Sequence, residues 1–570
     1  MNKNFLYCAS LKTKDGTKWG FINEKGEFVI NPHFEFASDF QKNGLATVKK
    51  DGKFGCIDKE GNFVIPPKFE TIIDFSEGRA IVVFNGRFHV IDETGQILTT
   101  KGYSFISMYQ HSRAMVADTV KDGNYRYGYL NKEGNVAIPL QYETASDFKD
   151  SLAVVKIKEG KFALIDKHGN IVTTFHYFYV GNYGDKLLAF KKTSNDRLGY
   201  LDMKGNVVIG PKFTVALPFE NGRAVVNTAA DYRNKYGLID RKGTYVIQPV
   251  YNDMMILGEN RVAVGRAVDE EKPYLGSNYA IANWNGELLT KFLYEHVSRF
   301  DQGIASVSDG EKAFFIDRSG SRARGLPAVV GADSVMLIGK LVRVMKSNRI
   351  SYLNRKGKLV WKQNTIIPLT RRYRILEKKY EPNKNYVVFY PQVDGLKNAV
   401  VESVVNKKLK ELSNLKKIAA DEKLEYSYMG DFNVTFFKKN LLVLELYSDE
   451  YYFGAAHGMP SKNYAKINMI NGCFYELKDL FKNDSDYVGR LSEIVGTMIE
   501  TDPQYDYVFP GAYQGIAADQ PFYVTENTLY LYFAPYEIGP YAAGFPTFEI
   551  PFSNLMDIID TKGEFWLSFQ

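Results

Sequence analysis

At ten regularly spaced places between residues 23 and 357, an Asn or Asp is followed three residues later by a Gly. The pairs are Asn23/Gly26, Asp58/Gly61, Asp92/Gly95, Asn131/Gly134, Asp166/Gly169, Asp202/Gly205, Asp240/Gly243, Asn283/Gly286, Asp317/Gly320 and Asn354/Gly357, at intervals of 34 to 43 residues. A fixed period of this size marks a chain built from stacked units. The pair fits a type I turn: a short side-chain acceptor at the first position bonds N–H groups further along, and Gly takes the position needing positive φ. β-Branched and aromatic residues flank each turn, which predicts a hairpin.

Many hairpins run into a Pro-aromatic step: Pro32/Phe34, Pro67/Phe69, Pro139/Tyr142, Pro211/Phe213 and Pro249/Tyr251. Pro cannot donate to a ladder and ends the strand. A second Gly turn and another strand follow, as in Asp74 to Phe84, giving three or four short strands per unit. No helical period occurs before about residue 370. A unit this small cannot bury its apolar face alone, so neighbours must stack. Ten units are many for one ring, so the expectation is an open twisted solenoid, with a propeller-like array as the alternative.

The turn acids do not read as calcium ligands. Ca²⁺ needs several converging oxygens, and here one Asp per unit alternates with neutral Asn, which serves the turn equally well. The nearby Lys25, Lys59, Lys132, Lys167, Lys204, Lys242 and Lys356 read as a solvated rim.

Trp19-Gly20, its relatives Phe54-Gly55, Tyr127-Gly128 and Tyr236-Gly237, the turn, the Pro-aromatic step and the following Gly-Leu/Arg-Ala strand recur in order. Over about residues 5 to 365 this pattern resembles the bacterial WG repeat. The resemblance implies a β-rich binding or scaffolding array and no activity. Repeats three, five, eight, nine and ten lack the Gly of the dipeptide.

After Trp361 the texture changes. The expected division is a repeat array over 1–365, a linker over 366–385 and an α+β domain over 386–570. Leu396, Ala399, Val400, Val404, Val405 and Leu412 mark one amphipathic helix, and Leu491, Ile494, Val495 and Met498 a second over Asp486 to Thr501. Alternating strands follow the first helix, and a last hairpin closes the domain, so helices should lie on an antiparallel sheet.

The run Tyr451 to Ser461, YYFGAAHGMPS, resembles a Gly-Gly-Ala-His-Gly motif in the extracellular domain of a lysozyme-sensing anti-sigma factor. The same domain accompanies some peptidoglycan deacetylases. Leu477 to Phe481 and Gln520 to Pro551 agree with it, and Ala455 stands where a second Gly is usual. What the resemblance implies is recognition of a protein or cell-envelope glycan. His457 is either a structural histidine fixed by backbone in a Gly-rich bend, or a recognition residue on a loop that Gly454 and Gly458 let approach a partner. Glu537 is a buried acceptor or a contact point, and Tyr536 and Tyr541 beside it are core or an aromatic contact surface.

Enzyme signatures are missing. No P-loop, GxGxxG, GxSxG or HExxH occurs, and the acidic pair Asp449/Glu450 is explained by a solvated turn. No catalytic residue, metal or cofactor is therefore expected. Cys8, Cys56 and Cys473 form no CxxC pair. The net charge of +6 is interspersed, which argues against nucleic acid. No run of about 18 apolar residues suggests a membrane span. As written, the sequence reads as cytoplasmic; one trimmed of a leader would read the same. The expected whole is a mainly β, non-catalytic binding protein for a protein or cell-envelope glycan partner, with an intracellular scaffold that has no envelope ligand, or an accessory part of peptidoglycan modification, as the alternatives.

Overall fold

A computed structural model describes residues 5–570. Contacts divide the chain into two compact units. One runs to Ala9 and resumes over Trp19–Lys362, and the other takes Ser10–Lys18 and Gln363–Gln570.

The strands from Tyr7 to Lys362 form ten small antiparallel sheets of three or four strands, each an up-and-down meander. The ten Asn/Asp turns form as read. Asn23 Oδ1 accepts the N–H groups of Lys25 (2.8 Å) and Glu27 (3.1 Å), and Asp240 Oδ1 those of Lys242 and Thr244 (2.9 Å each). Each apolar cluster is shared between neighbouring sheets. Phe21, Ile30 and Phe34 of the first pack with Ala46, Val48 and Ile57 of the second. Among the described residues, no sheet of the array has a core of its own, which is why the sequence must repeat.

The Gly of the aromatic-Gly dipeptide has a geometric cause. A Cβ at Gly55 would stand 2.4 Å from the carbonyl oxygen of Ile65, and one at Gly20 2.4 Å from that of Ile30. There the outer strand bulges over its neighbour. The register slips twice in the five repeats that keep this Gly, at Trp19/Ile22, Phe54/Ile57, Tyr127/Leu130, Leu198/Leu201 and Tyr236/Ile239. The fifth repeat has Ala163 instead, and its outer strand pairs in straight register through Phe162, Ala163 and Leu164.

The tenth sheet packs on the first with the contacts used inside the array. Tyr129 donates to the carbonyl of Ser146 and Tyr200 to that of Leu217, each in the next sheet (2.7 Å). Tyr352 donates likewise to Cys8 (2.8 Å). A Cβ on Gly61 would meet Ile30 one sheet back, and one on Gly26 would meet Val360. Phe28 lies edge-on to Trp361. Of the two arrangements considered, the contacts match the propeller-like one, in which the last unit meets the first. An open array would leave the faces of Tyr352 and Trp361 uncovered.

The second unit carries a six-stranded sheet ordered Ile366–Pro368, Arg374–Asn383, Tyr386–Asp394, Tyr426–Lys438, Leu441–Tyr452, Met459–Asn468. Segment 366–385, expected as a linker, contributes two strands of this sheet, Ile366–Pro368 and Arg374–Asn383. Its Ile367 and Ile375 are wholly buried, so its apolar residues had a core to join. Helix α1, Ala399–Leu412, is capped by Asn398 Oδ1 accepting from Val400 N–H (2.9 Å). It covers half of one sheet face with Val405 and Leu409, against Phe432, Val434, Leu444 and Ile467. Val400 and Val404 are not on that face; they are 71% and 61% exposed. Helix α2, Tyr487–Thr501, buries Leu491 and Val495 as read, in a second core with a three-stranded sheet, Phe522–Val524, Thr528–Tyr532 and Thr547–Pro551. Among the described residues, no helix is long and apolar enough to cross a membrane.

Candidate functional site

The sheet face beneath α1 changes character along its strands. On the covered half the inward residues are Phe432 and Val434, Leu444 and Leu446, Ala465 and Ile467. Continuing at the same parity, they become Gly430 and Tyr428, then Ser448, Glu450 and Tyr452, then Asn463, Ser461 and Met459. Polar residues replace apolar ones at the point where the helix stops. The result is an open trough of about 780 Å³, walled at one end by Leu412, Ser413 and Asn414 as α1 finishes, and at the other by Ala455, His457 and Met459.

Inside the trough the polar groups are held in place. Tyr428 stacks on Tyr386 (4.6 Å between ring centres, 8°) and its hydroxyl accepts from Asn414 Nδ2 (3.1 Å). Gly430 lets the strand lie close to Val388, whose side chain a Cβ would meet at 2.9 Å. Ser448 faces Ser461 across the ladder, and Glu450 faces Met459 and Tyr428. Tyr452, 56% exposed, packs on Tyr426 (5.4 Å). The Glu450 carboxylate hydrogen-bonds the Tyr452 hydroxyl and raises its pKa. Glu450 thus sits in a strand and lines the trough, where a solvated turn was expected.

Four of the six residues singled out from the sequence come together beside this trough. The His457 ring stacks on Tyr541 (3.8 Å, 23°). Its Nδ1 lies 2.9 Å from the Gly458 carbonyl and its Nε2 3.2 Å from the Tyr536 hydroxyl. Tyr541 donates to the same Gly458 carbonyl (2.8 Å). Both ring nitrogens are therefore engaged within the loop pair, and the cluster pins the 453–458 bend to the 534–541 loop. Gly458 has its own reason to be Gly: a Cβ would meet the Asp449 carboxylate at 2.4 Å. Tyr536 is 51% exposed with φ of +69°, so it is surface and not core. The remaining two lie apart from the cluster. Gly454 serves the turn with φ of +87°. Glu537 is exposed and accepts the Ala534 N–H within its own turn (2.7 Å).

The opposite sheet face belongs to the second core. There Lys466 lies 4.1 Å from the Phe522 ring centre and donates to the Tyr464 carbonyl (3.0 Å). Burial pushes its pKa down to about 8, against the opposing pull of Glu476.

Sequence reasoning missed Tyr428, Glu450, Tyr452, Asn463 and Asn414. The signal was there, in the change from apolar to polar at constant parity along three strands. Reading it required knowing where α1 ends over the sheet.

Comparison with known proteins gives both halves a family likeness. The family described as the WG containing repeat matches residues 19–54, 54–88, 127–162, 199–228 and 236–264. These are the five repeats that keep the Gly and its double slip. A protein family of unknown function, DUF3298, matches residues 478–553. The chain thus carries WG repeats in its N-terminal region and a DUF3298 domain in its C-terminal region. It is 23% identical over 184 residues to peptidoglycan-N-acetylmuramic acid deacetylase PdaC of Bacillus subtilis (strain 168). That match takes 31% of this chain and spans only 39% of the relative's length. Among solved structures it is similar to a DUF3298 family member from Bacteroides fragilis (16% identity, TM-score 0.27, 33% of this chain and 93% of that one). It is also similar to one from Pseudomonas aeruginosa PAO1 (17% identity, TM-score 0.27, 34% and 95%).

Proposed function

We propose that the protein is a non-catalytic binding protein whose C-terminal unit takes a length of cell-envelope glycan into the trough, while the repeat array offers a second surface. The observation that carries this reading is the composition of the uncovered half-face. Aromatic rings, hydroxyls and side-chain amides line an open depression of ligand size. A sugar presents apolar C–H faces ringed by hydroxyls, and this set matches both. A peptide bound by strand addition is a poorer fit, because that mode needs a strand edge and the trough lies on a sheet face. The likeness to a protein named for peptidoglycan deacetylation agrees with the ligand class.

Titration calorimetry of the full-length chain with soluble peptidoglycan fragments tests the reading. Binding is expected, weakened about tenfold or more in Tyr452→Ala, whose exposed ring can go without disturbing the core. No heat with the fragments overturns it, and binding to lysozyme instead turns the trough over to a protein partner. Release of acetate or of new sugar ends by the wild type overturns the non-catalytic part. An envelope ligand also requires that the protein reach the envelope, so fractionation that finds it wholly in the cytosol argues against the same reading.

A further inference from the structure

We infer that the trough selects for glycan bearing free amino groups, an unacetylated hexosamine chain, over its N-acetylated counterpart, with Glu450 as the selecting residue. The inference rests on the glycan reading above and adds the charge of the ligand. The lining residues include two carboxylates, Asp431 and Glu450, and no Lys or Arg. The Asp431 charge is answered by the ammonium of Lys12 at 2.8 Å. Glu450 has no lysine or arginine paired to it among the described residues; its hydrogen bond is to a neutral phenol.

Glu450 is also placed among rings. Tyr428 lies across the ladder from it, Tyr452 two residues along, and Tyr426 beside Tyr452. A carboxylate set among aromatic faces suits a protonated amine, since both attract positive charge. The protein's own side chains illustrate the preference. The exposed Lys416 carries its ammonium over the rings of Tyr426 (5.6 Å) and Tyr428 (5.9 Å) at the rim. A neutral acetamide can give the carboxylate only an uncharged N–H donor in place of its water, whereas an ammonium gives it a charge-assisted hydrogen bond, about twice as strong.

The test compares two probes of equal length, glucosamine tetramer and N-acetylglucosamine tetramer, by calorimetry on the full-length chain at pH 5.5. The amino form is expected to bind about tenfold tighter, a difference that adding salt reduces. Glu450→Gln keeps the shape and the hydrogen bond, and is expected to bring the two probes within about twofold of each other. Equal or tighter binding of the acetylated probe overturns the inference and leaves the glycan reading standing. A preference that survives Glu450→Gln overturns the assignment to that residue. Oligolysine binding more tightly than either sugar makes the trough a site for cationic peptide and overturns both. If neither tetramer binds while peptidoglycan fragments do, the inference alone falls; if nothing binds, both fall.

Discussion

The Tyr352 hydroxyl donates a 2.8 Å hydrogen bond to the carbonyl of Cys8, 344 residues earlier in the chain. The donor holds the same place in its repeat as Tyr129 and Tyr200, which reach Ser146 and Leu217 of the next sheet. The acceptor here lies on the strand beside the turn hairpin, because the first sheet has three strands; the tenth repeat packs on the first as on a next repeat. Lys340 continues the pattern. Arg79 and Arg261 reach the turn of the following sheet through backbone carbonyls (2.6 Å each), and Lys340 reaches the turn of the first through Glu24 (3.0 Å). Closure therefore belongs to the stability of the whole array. Tyr352→Phe removes the donor to the buried Cys8 carbonyl and also the acceptor that the Arg343 Nε reaches at 3.0 Å, which costs about 1–2 kcal/mol. Tyr129→Phe serves as the internal comparison. Urea unfolding followed by circular dichroism is expected to show similar losses for the two; no loss in Tyr352→Phe beside a clear one in Tyr129→Phe would mean that the ends do not hold each other.

The aromatic-Gly dipeptide makes a sharper prediction. Gly55→Ala sets a methyl 2.4 Å from the Ile65 carbonyl oxygen, a backbone atom that moves only if the bulge is undone. The expected loss is about 2–4 kcal/mol. The reverse change in the fifth repeat, Ala163→Gly, meets no such contact and should cost only about 1 kcal/mol of strand entropy. Thermal denaturation of the two variants checks the pair. Equal losses would show that the Gly is kept for some reason other than the bulge.

How much of this was legible in the sequence depended on whether the signal was local. The hairpin turns depend on residues three and four apart, and all ten could be read from Asn, Asp and Gly alone. The meeting of first and last repeats depends on how small rotations accumulate over ten units, which no short window contains. The trough was hidden for a related reason, since it is a place where a helix stops. The helix was legible only in part: Leu396, Val405 and Leu412 join the core as expected, but Val400 and Val404 do not. Val400 and Val404 point to solvent because their stripe continues into Lys407, Lys408 and Glu411, whereas that of Val401, Val405, Leu409 and Leu412 stays apolar to the end. Leu409→Ala should therefore cost about 2–4 kcal/mol and Val404→Ala less than about 0.5 kcal/mol in urea unfolding. A larger loss for Val404→Ala would restore the first assignment.

Acid should act on the repeat array through Asp118. The buried carboxylate receives Arg87 (2.8 Å), Lys101 (3.0 Å) and the Ser104 hydroxyl (2.8 Å). Burial pushes its pKa up, but the bonds from Lys101, Ser104 and Arg87 outweigh this and hold it at about 2, below the usual carboxylate value. A depressed pKa in the folded state stabilises above the unfolded value, near 4, and that contribution disappears as pH falls towards 2. The shift corresponds to somewhat over 2 kcal/mol, reduced to about 1–2 because both cations are roughly half exposed. Asp118→Asn is expected to lose that amount at pH 7 and almost nothing at pH 2. A pH-independent difference between variant and wild type, from stability curves at pH 2, 3, 4 and 7, would show that the site works by shape and not by charge.

A buried charge arrangement in the C-terminal unit joins residues far apart in sequence. The Lys12 ammonium lies 2.8 Å from Asp431, 2.9 Å from Glu377 and 3.1 Å from the Phe432 carbonyl, with the Phe432 ring 4.2 Å away. Its three N–H donors thus have three acceptors, and its side chain is only 5% exposed. Removing one member of such a group leaves buried charge uncompensated. Lys12→Met sets two carboxylates together without the ammonium, and a loss of about 3–5 kcal/mol is expected. Asn364 and Asn433 help to hold the same segment, through the Lys12 backbone and the Thr17 hydroxyl, but carry no charge to replace it. A chain cut to begin at Gln363 lacks Ser10–Lys18 altogether and should be destabilised at least as much as Lys12→Met. Limited proteolysis of the three proteins, read as the rate of cleavage between Gln363 and Gln570, orders them directly. A truncated chain as resistant as the full-length protein would mean that this unit does not need its N-terminal segment.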